Sequence, residues 1–119
     1  MDEYLVGLIF VVLIFFSAGL SIYNNPRELN SFYGYRTSSS KRTQDTWDEA
    51  NVYAGKCIMI FSILIIGSLI FTDLFTNNLY TLLKTLLTSS IVSICCIVGL
   101  TENRLKKVFY RDGKRRPNR

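Results

Sequence analysis

The residues best suited to chemistry lie together in Gly34-Tyr35-Arg36-Thr37-Ser38-Ser39-Ser40-Lys41-Arg42. Arg36 carries a planar fork of donors that matches a phosphate or a carboxylate. Thr37 and Ser38 to Ser40 add hydroxyls, Gly34 permits close backbone approach, and Lys41 and Arg42 add charge suited to anionic lipid. Two uses fit this set. Either Arg36 and its neighbours bind a lipid headgroup or an acidic peptide segment, or Arg36 fastens the loop by bonding helix-end carbonyls, Asp48 or Glu49. Trp47, Asn51 and Gly55 then recur every four residues and share one helix face. Trp47 is expected to be an interfacial anchor, and Asn51 a hydrogen-bonding pin for the loop or a neighbouring helix. The functional alternative for both is a groove shared with Arg36.

Other chemistries lack their parts. The chain has no histidine and no Cys-x-x-Cys, which removes the usual ligands and bases of zinc, haem and His-based catalysis. Cys57, Cys95 and Cys96 are an odd set with an adjacent pair, which reads as small packing residues rather than a disulfide framework. Arg36 beside Asp45, Asp48 or Glu49 has no accompanying nucleophile. No catalytic residue, metal or cofactor is expected, and the chain reads as a non-enzyme.

The elements that position these residues are apolar. The 119 residues allow one domain. The 49% apolar share is concentrated, with no charge in Tyr4–Pro26, Cys57–Thr72 or Thr85–Thr101. A bilayer core needs about 20 helical residues. The reading is an all-α integral membrane protein with spans at about 4–23, 52–72 and 80–101, a loop at 24–51 and a basic tail at 102–119. Lys56 and Lys84 would snorkel to the headgroups. Of the 14 Lys and Arg, only Lys84 falls outside the loop, its edge and the tail. The positive-inside rule then puts the N-terminus outside and the loop and tail in the cytoplasm. The Met1-Asp2-Glu3 start lacks the positive charge of a cleaved signal peptide. No ionisable residue lies deep in a span, which disfavours a transporter. No aromatic platform accompanies Lys114–Arg119, so the tail reads as attracted to anionic lipid rather than nucleic acid.

Local signals add detail. Asn25-Pro26-Arg27-Glu28 predicts a short interfacial helix to about Phe32, stopped at Gly34. Thr43 is an N-cap for a second helix that runs to about Asp73. Thr76-Asn77-Asn78 is a turn between antiparallel helices. Ser89, Ser93 and Cys96 form a small-residue face for close helix approach. The third helix is expected to continue beyond the membrane, with Leu105, Val108 and Phe109 as an apolar strip. It should end at Asp112-Gly113, before a disordered 114–119.

The ordered set Asn30, Gly34-Tyr35-Arg36-Thr37, Ser40, Trp47, Ala50-Asn51 and Gly55 resembles the signature of the SdpI family of small membrane proteins. The likeness runs from about Asn24 to Gly113 and includes Thr101-Glu102-Asn103-Arg104-Leu105. It implies Asn30, Gly34, Tyr35, Arg36, Thr37, Ser40, Trp47, Asn51 and Gly55 as motif residues. It also implies a bacterial cytoplasmic-membrane protein. The family's named member protects its host against a secreted antimicrobial peptide and holds a cytoplasmic repressor at the membrane. It carries a further membrane domain before the part that matches here. The expected function is therefore immunity to a membrane-active peptide. The alternative is a signalling scaffold that docks a cytoplasmic partner on its loop and on Leu105, Val108 and Phe109. Partners implied are anionic headgroups, a toxin peptide or a cytoplasmic protein, with a homo-oligomer as a further option.

Overall fold

The computed structural model describes residues 3–24, 34–76 and 78–117. Their apolar runs form three helices: α1 (Glu3–Asn24), α2 (Gln44–Phe75) and α3 (Leu79–Val108). Each is long and apolar enough to cross a membrane. Large apolar side chains such as Phe10, Phe15, Phe71 and Leu87 stand exposed along them. That suits a lipid solvent, in which only the backbone must satisfy itself internally. The expected interfacial helix over 26–32, together with Asn30, lies outside the described residues.

Helix α2 is central. The other two helices pack along it and barely touch one another. Its 32 residues span about 48 Å at 1.5 Å per residue, well beyond a hydrocarbon core of about 30 Å. The first two turns of α2 therefore carry Trp47 and Asn51 beyond the apolar stretch. Thr43 caps α2 as expected: its hydroxyl accepts from the Thr46 N–H, and the Thr46 hydroxyl accepts from the Thr43 N–H. Asn78 caps α3 by accepting from the Tyr80 N–H at 2.8 Å.

Helices α1 and α2 approach most closely at Gly19 and Gly55. A Cβ on Gly55 would lie 2.7 Å from the Gly19 carbonyl oxygen and 2.8 Å from the Tyr23 nitrogen. Near the α2–α3 turn, Leu5, Val12, Leu69 and Leu82 form one buried cluster. At the opposite end Ala50, Leu105, Val108 and Phe109 form another, with Tyr35 packed against it.

Several expectations are corrected. Leu105, Val108 and Phe109 are buried, so they are not an exposed docking strip. The helix brings them against Ala50 because α3 runs beside the protruding start of α2. Of the small-residue face, Ser93 is buried while Cys96 is exposed. Cys57 is buried, but Cys95 and Cys96 face outward rather than into packing. The described tail residues 109–117 fold into a hairpin. Helix α3 stops at Val108, and Gly113 at φ +90° turns the chain back. The Tyr110 N–H donates to the Lys114 carbonyl at 2.7 Å, and the Arg116 N–H to the Val108 carbonyl at 2.7 Å. This corrects the expectation of disorder for residues 114–117. Backbone pairing and two ion-paired acids hold it instead.

Candidate functional site

The motif folds where residues 34–43 and the start of α2 meet the end of α3. Gly34 adopts φ +102°, a conformation that L side chains rarely take. A side chain there would collide with Asn51 Oδ1 and lie 3.4 Å from Trp47 Cζ2. Asn51 can therefore clasp the next residue from both sides. Its Oδ1 accepts from the Tyr35 N–H at 2.6 Å. Its Nδ2 donates to the Tyr35 carbonyl at 3.3 Å and to the Trp47 carbonyl at 2.9 Å. Asn51 is the pin the sequence suggested.

Tyr35 and Thr37 both turn to Glu102 on α3. The Tyr35 hydroxyl donates to Glu102 Oε2 at 2.8 Å, and the Thr37 hydroxyl donates to the same oxygen at 3.0 Å. Burial and the neighbouring Glu102 carboxylate push the Tyr35 phenol well above its usual range, so it stays a donor. Ser40, fully buried, closes the turn. Its hydroxyl accepts from the Thr37 N–H at 2.8 Å and lies 2.9 Å from the Thr37 carbonyl. The Thr46 hydroxyl then donates to the Ser40 carbonyl at 3.0 Å, joining turn to helix.

Trp47 is 1% exposed, which corrects the interfacial-anchor expectation. Its ring is walled in by the loop that Gly34 brings across it. Gly55 belongs to the α1–α2 contact rather than to the loop.

Arg36 departs most from the fastening role. It is exposed, between two residues that point to Glu102, and makes no hydrogen bond or ion pair among the described residues. The carboxylates expected to hold it have other partners. Arg104 Nε meets Glu49 Oε1 at 2.9 Å, and Arg115 Nη2 meets Asp45 Oδ1 at 2.8 Å and Glu49 Oε2 at 3.8 Å. Asp48 accepts from Gln44 Nε2 at 2.8 Å. The motif thus splits: Gly34, Tyr35, Thr37, Ser40, Trp47 and Asn51 build the junction, and Arg36 is presented on it.

Below the junction, α1 and α3 diverge along α2 and leave an apolar cleft of about 300 Å³. Phe15, Phe61, Leu86 and Ile94 line it, with Ser62 and Ser93 as polar points and Tyr35 at its loop end. Glu102 is not among the candidate site residues, although an acid at the head of a basic segment was the available signal. Gly19 carried no signal, because α1 is apolar on every side.

A model of the SdpI/YfhL protein family matches residues 27–101, a stretch that holds the loop, α2 and most of α3. Beyond Thr101 the tail lies outside that match, including Glu102 and Arg115. YfhL of Bacillus subtilis (strain 168) is 36% identical over 95 residues, which cover 79% of this chain and 80% of that protein. No solved structure matches. With its three apolar helices and this match, the chain is a multi-pass membrane protein that belongs to the SdpI/YfhL protein family.

Proposed function

We propose that this protein protects its host membrane against a membrane-active antimicrobial peptide, as a binding protein rather than an enzyme. The loop end faces the cytoplasm in this reading, because the loop and tail carry most of the basic residues. The observation that carries the proposal is Arg36, exposed and unpaired among the described residues, on a locked junction next in sequence to the Tyr35 that closes the cleft. An amphipathic peptide offers both complements: apolar side chains for the cleft and a carboxylate for a guanidinium fork. Holding Arg36 on an ordered loop lowers the entropy lost on binding. Family membership supports the same direction. The scaffold alternative loses the apolar dock that the sequence offered, since those residues are interior.

The test is Arg36→Ala beside Arg36→Lys in cells challenged with candidate peptides, with membrane protein level measured in parallel. Arg36 bonds to nothing in the described fold, so level and melting temperature should hold. Resistance should fall with Ala and recover only in part with Lys, which cannot form the bidentate fork. Unchanged resistance in a strain whose wild-type gene confers it would exclude Arg36. Equal sensitivity with and without the gene, across peptides, would exclude protection.

A further inference from the structure

The folded tail creates a second cationic feature separate from Arg36. Its hairpin closes over the end of α3 and the loop turn, leaving a pocket of about 380 Å³. Arg42, Lys106, Arg111 and Arg116 line its walls, with Leu105 and Phe109 at its apolar part. No carboxylate lines it among the described residues. The contrast with adjacent cations is informative: Arg104 and Arg115 are the ones ion-paired to acids among the described residues. The pocket's four cations have no ion-pair partner among the described residues. Arg116 is also held in place. Its Nε donates to the Phe109 carbonyl at 3.0 Å, and its guanidinium carbon lies 4.8 Å from the Tyr110 ring centroid.

We infer that this pocket binds the phosphate of an anionic phospholipid headgroup. The charge calls for an anion, and several convergent cations favour phosphate. The depth calls for a lipid. Leu105 lies four residues past Thr101, where the apolar stretch of α3 ends. At 1.5 Å per residue that is about 6 Å outside the hydrocarbon, within a headgroup layer some 5–8 Å thick. The exposed Tyr110 at the rim is a residue type that settles at this level. The inference concerns a different surface from Arg36 and stands without the protection reading.

The test uses the purified full chain in neutral detergent, titrated with phosphatidylglycerol or phosphatidylcholine and read by native mass spectrometry. Phosphatidylglycerol should be retained at least about tenfold more tightly. Arg42→Gln with Arg111→Gln should remove most of that preference, because neither side chain makes a hydrogen bond or ion pair among the described residues on which folding would depend. Arg116→Gln should weaken it as well. Lys41→Gln with Lys107→Gln removes the same charge from exposed positions outside the pocket, and should leave the preference within about twofold. An equal loss in that control would show generic surface attraction and overturn the site. Glycerol 3-phosphate should not displace the lipid at equal concentration. If it does, the ligand is a soluble phosphate and the lipid assignment fails.

Discussion

At the scale of residues, the junction depends on one carboxylate. Glu102 Oε2 receives two hydroxyl bonds from residues more than 60 positions earlier. A hydrogen bond to a charged group contributes roughly 1.5–3 kcal/mol. Tyr35→Phe should therefore cost about 1–3 kcal/mol in detergent unfolding. A double-mutant cycle with Glu102→Gln should show a coupling of about 1 kcal/mol or more; independent losses would deny the bond. The pH dependence has a definite sign. The folded Tyr35 pKa is raised, so its contribution is complete below the unfolded value of about 10 and disappears as pH rises through the folded value. In an alkaline absorbance titration Tyr35→Phe should remove a late-ionising phenol. Sequence reasoning picks out Asn51 because it recurs one turn after Trp47 on the same helix face. It leaves two uses open for Arg36 and does not foresee the burial of Trp47, because both depend on contacts across the chain. Whether an arginine is paired is decided by which acids other residues have already taken.

At the scale of elements, length and apolarity made the three helices legible, and Thr43 marked the start of α2. Their packing was not legible. Helix α1 is apolar all round, so no periodicity distinguishes the face that meets α2 from the face that meets lipid. The contact itself makes a sharp prediction. At Gly55 an added Cβ meets backbone atoms of α1, which cannot rotate away. At Gly19 the nearest atoms belong to the Ile58 side chain, at 2.7 and 2.9 Å, with the Gly55 oxygen at 3.0 Å. Gly7, Gly67 and Gly99 have nothing within 4 Å of an added Cβ. Gly55→Ala should therefore destabilise by about 1–3 kcal/mol, the range for overpacking. Gly19→Ala should cost less, and Ala at 7, 67 or 99 should be neutral or mildly favourable through helix propensity. Thermal unfolding of the five variants gives the order. A neutral Gly55→Ala would mean that the helices are farther apart.

At the scale of the whole molecule, charge and connectivity agree. Three spans require the loop and the tail to share a side, and the Tyr35–Glu102 and Arg115–Asp45 contacts bring them to the same end of the bundle. The exposed ion pairs there are individually weak, within about 1 kcal/mol each. What commits the end is their combination with the buried Phe109 cluster and the bonded turn around Ser40. Among the described residues, the junction holds the polar segments 34–43 and 109–117, and the other end carries the α2–α3 turn and the start of α1. The side on which the junction lies decides how protection would operate. Inside, Arg36 meets a peptide only after it has entered the bilayer; outside, it meets the peptide on arrival. With Cys57, Cys95 and Cys96 replaced by serine or alanine, single cysteines at Arg36 and Tyr80 report the side. Both positions are exposed and lie at opposite ends. An impermeant maleimide added to intact cells should label Tyr80→Cys at once and Arg36→Cys only after permeabilisation. The reverse pattern would invert the topology predicted by the basic residues and make Arg36 the first group a secreted peptide encounters.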